Sequence, residues 1–395
     1  MQTGATAYRD QLAETGHDLR ESDLDLLAGL GVRAARYPVL FERVAPAGPE
    51  RLDLTWATRR LSHLRELHID PVVTLLHHGN GPQYTNVLDA DFPELFARYA
   101  AAVAHAFPWV RRWTPINEPL TTARFSTLYG FWYPHLCDDA AFGRFIAHEA
   151  LAMLLAMEAI VEVNPAARFV VTEDLQSFTA LDRSIEGYVE HKRERMYLSV
   201  ELVMGRVRPG HPLYRYLTER CGIGALLERI ERHARPPDLV GWNYYPNSER
   251  ALGKRADGTI YNEALLEHGP IGALPLLRAA HERLGLPFGL SEVHRSGEET
   301  VRAAWLADRV RDLAALQAEG APVCMLGAWA AFGLVDWDSL LRERRGHGED
   351  GVFTFAGPEG TPQETAVSHA VRALAKRGAR YEVAFPTVRG SAPAG

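Results

Sequence analysis

The sequence predicts an α/β protein folded as a (β/α)8 barrel whose first strand is poorly represented or truncated. Three observations carry this. Short β-branched or apolar runs alternate with amphipathic helical patterns over 395 residues, the signature of a parallel sheet. No low-complexity linker interrupts the alternation. Nearly every run also ends in polar or aromatic residues foreign to a core: His77-His78, Asn117-Glu118, Glu173-Asp174, Asn243-Tyr244-Tyr245 and Glu292-Val293-His294. A barrel gathers the carboxyl ends of all its strands on one active-site face. A doubly wound sheet would place its signal in a first glycine-rich turn. The one G-x-G-x-x-G match, Gly346 to Gly351, has no strand before it and encloses Glu349 and Asp350, which would repel a pyrophosphate.

In chain order, Met1 to Tyr8 is too short and too polar for a buried strand, so the first of eight strands is not readable. A helical pattern over Ser22–Leu30 leads to the run Val32–Phe41, and Thr55–Leu67 leads to Pro71–His77. Phe92–Ala106 precedes Val110–Asn117. The long apolar-faced helix Asp139–Val163, stopped by Asn164-Pro165, precedes Arg168–Glu173. Leu239–Tyr245, Pro287–Val293, the helix Glu298–Glu319 and the run Val323–Phe332 complete the series. A single domain over residues 1–386 is expected, with a disordered tail at 387–395.

Composition narrows the function. Hydrophobic residues make up 47% and charged residues 24%, which excludes a disordered chain and supplies a large core. A net charge of −7 argues against nucleic acid or an anionic membrane as partner. Cys137, Cys221 and Cys324 are too few and too scattered for a disulfide framework or a zinc site. Ala150–Val163 carries Glu158 and Glu162 and stops short of a membrane span, and no charged start with an apolar stretch marks a signal peptide. The expectation is a cytoplasmic protein without cofactor or metal. No feature of the sequence sets an oligomeric state.

Two glutamates close separate runs: Glu118 in Thr114-Pro115-Ile116-Asn117-Glu118-Pro119, and Glu292 in Phe288-Gly289-Leu290-Ser291-Glu292-Val293-His294. Glycoside hydrolysis needs one carboxyl to protonate the leaving oxygen and another to meet the developing cation. Strand ends on opposite sides of a barrel mouth can supply such a pair. The alternative is two surface glutamates capping the helices that follow.

The chain resembles glycoside hydrolase family 1, the retaining β-glycosidases with a (β/α)8 barrel. Gly31 to Pro46 is similar to the family motif R-F-S-x-x-W-x-R-x-x-P, Thr74-Leu75-Leu76-His77-His78 to T-L-x-H-W, and Thr114 to Pro119 to T-x-N-E-P. Gly241-Trp242-Asn243-Tyr244-Tyr245 is similar to G-x-N-Y-Y. Ser291-Glu292 stands where the family has T-E-N-G, and Trp329 to Trp337 where it has W-S-L-x-D-N-x-E-W. The matches keep their order over roughly residues 25 to 355. The closest likeness is to a divergent group, some of whose members are fused to a dTDP-4-dehydrorhamnose reductase domain that this chain does not carry.

The resemblance implies Glu118 as general acid/base and Glu292 as nucleophile, acting on a small-molecule glycoside. Asn117 would donate to a sugar 2-hydroxyl, and Arg36 and Tyr245 would donate to Glu292 and stabilise its charged form. Asn243 and Asp336 join the expected substrate contacts. His77 and His78 read as a sugar ligand, a satisfied structural pair or, least favoured, a metal pair, because adjacent strand residues point to opposite faces. Trp329 reads as core or as the floor under a pyranose ring. Glu173 and Asp174 end a strand and are possible pocket residues with no family motif behind them.

Departures from the family matter as well. The first-strand glutamine is missing, Asp336 replaces a glutamate, His78 and Phe41 replace tryptophans, and Gly333 replaces an aspartate. These changes predict a substrate other than an ordinary glucoside. The competing readings are a catalytically degenerate sugar-binding or scaffold barrel serving a biosynthetic partner, and a barrel doing another reaction on a glycosylated metabolite.

Overall fold

The computed structural model describes residues 1–4, 6–264 and 271–377. Seven parallel strands form one curled sheet: β1 (Ala34–Pro38), β2 (Asp70–His77), β3 (Arg112–Asn117), β4 (Arg168–Asp174), β6 (Leu239–Tyr244), β9 (Phe288–Val293) and β10 (Val323–Ala328). They are hydrogen-bonded in that order. A second sheet, β5 (Ser177–Ala180), β7 (Glu249–Lys254) and β8 (Ile260–Ala264), follows β4 and β6 in the chain, and β11 (Leu334–Val335) pairs with β12 (Gly348–Glu349).

All seven legible runs are strands of the main sheet, trimmed at their ends. Pro38 ends β1, so Phe41 opens a short helix, and the run expected to reach Phe332 stops at Ala328. No eighth strand joins β1 to β10 among the described residues. The amino-terminal segment forms an antiparallel bridge between Gln2 and Tyr8 instead. Tyr8 donates to the Gly81 carbonyl at 3.1 Å, and Arg9 reaches Asp336 at 2.9 Å. The result is a (β/α)8-type barrel left open along one seam.

Helices cover the outer face of the sheet. Asp23–Leu30 ends at Gly31, which takes a left-handed φ of 76° and donates to Ala28, the usual reason for glycine after a helix. Asp139–Val163 is capped by the Asp138 carboxylate, which accepts from Ala141 N at 2.7 Å. Its apolar stripe packs with Phe92–Ala106 in the main core. A separate apolar layer inside the barrel joins Val72, Val170, Leu239 and Cys324. The 386/387 domain boundary lies outside the described residues.

Candidate active site

The strand ends place their polar residues around one pocket. Arg36 rises from β1, His77 closes β2, Asn117 closes β3, Asn243 lies near the end of β6, and Ser291-Glu292 near the end of β9. Tyr245 follows β6 and caps a 3-10 turn, and Trp329 follows β10.

Strand alternation alone would send Asn117 and Glu118 to opposite faces. Glu118 escapes this by a left-handed backbone, φ 45°, immediately before Pro119 opens the next helix. His78 does the same with φ 52°. This puts both imidazoles beside Asn117, where strand alternation alone would separate them. Asn117 Nδ2 lies 3.4 Å from His77 Nε2 and 3.5 Å from His78 Nε2, and His78 Nε2 lies 3.6 Å from Glu118 Oε2. Such conformations cost a non-glycine residue on the order of 1–3 kcal/mol and cluster at functional sites.

Glu292 is 2% exposed and both of its oxygens are bound. Arg36 Nη1 donates to Oε1 at 2.5 Å, and the Tyr245 hydroxyl donates to Oε2. Burial, then the charge of Glu292, pushes the Tyr245 phenol well above its ordinary value, so it keeps the proton it donates. The second nitrogen of the Arg36 fork donates to Asn117 Oδ1, which also accepts from Thr172 Oγ1 at 2.9 Å. These two donors fix the Asn117 amide with its NH2 toward the histidines and the pocket.

Glu118 is held differently. Asn243 Nδ2 donates to its Oε1 at 2.6 Å, and Asn243 is itself oriented by Ser291 Oγ, which donates to Oδ1 at 2.5 Å. Burial first, then the charges of Glu292, Asp174 and Glu173, pushes the Glu118 carboxyl well above the usual range, against the Asn243 hydrogen bond. Burial, followed by the Arg36 charge, lowers His77 to about 3. Burial likewise drives His78 well down. Both imidazoles are therefore neutral. Thr122 Oγ1 donates to the Glu118 carbonyl at 3.1 Å, so His78 Nδ1–H donates to Thr122 and Nε2 is left as an acceptor facing Glu118.

Gly241 makes this packing possible. A Cβ there would stand 2.7 Å from Ser291 and 3.1 Å from Thr172, the two residues that orient Asn243 and Asn117.

Trp329 is half-buried and stands edge-on to Tyr245, His294 and Trp337, with centroids 5.5, 5.6 and 5.4 Å apart. Trp132 closes the same wall, 5.0 Å from His78, with its indole donating to the Leu340 carbonyl at 2.7 Å. Trp132 has no signal in the sequence beyond aromatic content near Pro134, whereas Trp337 closes the Trp329 to Trp337 stretch matched above. Glu42, a buried carboxyl 3.8 Å from the Met1 ammonium, was also missed.

Three expected pocket residues are engaged by protein donors. Asp336 is 1% exposed, and its carboxylate accepts from Arg9 Nη2 at 2.9 Å and from the amides of Arg345, Gly346 and His347 at 3.1, 3.2 and 2.8 Å. Burial opposes its ionisation, but these donors hold it down at about 2. Four donors, three of them on Oδ2, commit Asp336 to tying the 336–347 loop together. Glu173 accepts from Leu120 N at 2.8 Å, Thr121 Oγ1 at 3.1 Å and Ser199 Oγ at 3.0 Å, and so anchors the helix that follows Glu118. Asp174 accepts from Ser248 and Gln176 at 2.7 and 2.8 Å. Among the described residues no group of three or more metal-ligating side chains stands together, and no helix is long and apolar enough to cross a membrane.

The sequence profile of glycosyl hydrolase family 1 matches residues 4–247. A bifunctional β-D-glucosidase/β-D-fucosidase of Bifidobacterium breve is 28% identical over 264 residues, 60% of this chain and 56% of that protein. Thermostable β-glucosidase B of Thermobispora bispora is 28% identical over 268 residues, 61% of this chain and 51% of its own length. The chain thus spans about half the length of these curated relatives. Among solved structures, the β-glucosidase of Thermotoga maritima in complex with glucoimidazole superposes with a TM-score of 0.78 at 17% identity, covering 92% of this chain and 87% of that one.

Proposed function

The chain belongs to glycosyl hydrolase family 1, and from that premise we propose that it hydrolyses a glycoside with retention, through a covalent glycosyl-enzyme intermediate. One observation carries the reading: two carboxyl groups at strand ends of one sheet are held in different ways. Both oxygens of Glu292 accept from Arg36 and Tyr245, while burial and the neighbouring charges push Glu118 toward its neutral form.

Glu118 donates its proton to the glycosidic oxygen as the bond breaks, and Glu292 attacks the anomeric carbon to form an ester. Asn117 donates to the 2-hydroxyl, an interaction that strengthens as positive charge develops on the sugar. Esterification removes the Glu292 charge, one of the causes that raise Glu118. Glu118 then loses its proton more readily and takes one from the water that cleaves the ester. Trp329 floors the sugar ring, and neutral His77 accepts from or donates to a hydroxyl.

The substrate is a small glycoside other than a simple glucoside, met in the cytoplasm. The support is the commitment of Asp336 to Arg9 and the 345–347 backbone, which leaves the outer hydroxyls without that carboxylate. Polar contacts of this kind are worth about 1–3 kcal/mol each, enough to reorder preference by tens- to hundreds-fold.

Incubation with activated 2-deoxy-2-fluoro glycosides, followed by peptide mass spectrometry, tests the assignment. An adduct on Glu292 is expected. Glu118→Ala should be rescued by azide to give a β-glycosyl azide. Absence of any adduct across sugar series returns the chain to a binding or scaffold role, and azide rescue patterns exchanged between the two glutamates refute the roles.

A further inference from the structure

A cavity of about 680 Å³ is not confined to the catalytic mouth. It starts at Glu292, Arg36, His77 and Trp329 and descends along the open seam between β1 and β10 to the inner layer of Val72, Val170, Leu239 and Cys324. Glu118, Asn243 and Asp174 do not line it. The leaving group departs past the acid/base. A chamber walled by the nucleophile and not by the acid therefore belongs to the sugar side of the scissile bond.

Its size is that of a complete small-molecule site, more room than a pyranose ring needs. Below the mouth the walls are mainly apolar: Leu27, Leu30, Leu306 and Leu374 from the covering helices, facing the inner layer. Polar side chains such as His17, Glu42, Thr74 and Arg112 interrupt this surface without dominating it. The outer edge of β1, which pairs with no strand among the described residues, adds backbone groups. Alternate residues of a parallel strand bond to the same neighbour, and Arg33 and Val39 bond to β2. Ala34 and Arg36 therefore turn their backbone N–H and C=O groups into the chamber, beside its mouth.

We propose that the substrate's sugar carries a long apolar chain through an ester or amide link, and that this chain lies in the seam. The proposal rests on the glycosidase reading and names its substrate class. The β1 edge donates to the linking carbonyl, and the hydrocarbon fills the space between β1 and β10.

The test is calorimetric binding of non-hydrolysable phenyl thioglycosides bearing an acetyl, octanoyl or dodecanoyl amide at the 3, 4 or 6 position of the sugar. Affinity should rise about two- to fourfold per methylene at one of these positions. The same chains placed on the aglycone should give no comparable rise. Cys324→Phe, or Ala375→Leu from the covering helix if the first does not fold, should abolish the chain-length dependence while leaving turnover of the unsubstituted dinitrophenyl glycoside intact. Chain-independent affinity at every position overturns the proposal. So does protection of the Ala34 and Arg36 amides from hydrogen exchange in the free protein, which would mean that a strand of polypeptide already fills the seam. Failure of the underlying reading looks different: no fluoro-sugar adduct forms on Glu292, whatever the chain does to binding.

Discussion

Gly241→Ala reaches the pocket without touching a proposed sugar contact. The new methyl would stand 2.7 Å from Ser291 and 3.1 Å from Thr172, where carbon contacts normally begin at about 3.5–4.0 Å. Ser291 must then retreat by roughly 0.8–1.3 Å on that scale. Its hydrogen bond to Asn243 is 2.5 Å long and would pass the working limit of about 3.2 Å. Overpacking of this kind costs about 1–3 kcal/mol of stability, read as a fall of a few degrees in Tm. Asn243, no longer held, stops orienting Glu118. A hydrogen bond to an ionisable group is worth about 1.5–3 kcal/mol, or about 10- to 150-fold in kcat/KM for substrates whose leaving group needs protonation. A dinitrophenyl leaving group needs little and should lose far less. A series of aryl glycosides graded by leaving-group acidity reads the difference as a steeper dependence. The double variant Gly241→Ala/Ser291→Gly should recover Tm but not activity, because the hydroxyl that held Asn243 is gone. Unchanged Tm with an unchanged leaving-group dependence in Gly241→Ala would refute the packing chain from Gly241 to Glu118.

Activity should fall as pH rises through the elevated titration of Glu118, since the acid must be protonated for the first step. Glu292→Gln removes the largest charge acting on it, so the Glu118 titration should move down toward its ordinary range. Infrared titration of Glu118 in that variant should show the drop, and an unmoved carboxyl would refute the coupling. Glu149 is fully buried with no hydrogen-bond partner among the described residues, and burial raises it well above its ordinary value. Its folded form holds a proton that the unfolded chain releases above about pH 4.3, so its contribution is fully present below that pH and shrinks by up to about 1.4 kcal/mol per unit above it. The Tm advantage of Glu149→Gln over the parent should therefore widen from pH 5 to pH 8; a constant gap contradicts the assignment. Asp336→Ala leaves Arg9 with Glu14 as its remaining carboxylate partner, at 2.7 and 3.0 Å, and takes the acceptor from the Arg345, Gly346 and His347 amides; it should cost about 1–3 kcal/mol, and strictly additive losses with Arg9→Ala would mean that the two residues do not act as a pair.

Hydrophobic periodicity and the polar strand ends made the seven barrel strands and the Glu118, Glu292 and Asn117 positions readable, while Arg36 and Tyr245 were picked out by the family resemblance. These signals are local: an apolar run carries its own period, and a glutamate closing it is visible where it stands. The rest depends on backbone turns and distant partners. Nothing in His77-His78 announces a positive φ at the second residue, so strand alternation alone would separate two rings that both lie beside Asn117. Asp336 looked like a shortened sugar ligand because its partner, Arg9, lies 327 residues away. Glu173 could not be told from a pocket carboxylate until the amide and hydroxyls it accepts from were in place. Trp132 lies in an irregular segment, where an aromatic residue has no period to betray it.

The Arg9–Asp336 contact also sets a schedule. Translation at about 5–20 residues per second leaves roughly 16–65 s between the emergence of these two partners, 327 residues apart. During that interval Arg36, Asn117, Glu118, Asn243 and finally Glu292 all leave the ribosome, while Arg9 has only the nearby Glu14 to hold it. The two proposed catalytic glutamates thus precede the contact that ties the amino-terminal segment to the 336–347 loop. A chain interrupted between Glu292 and Asp336 would hold both of them on a face that this contact has not yet fastened.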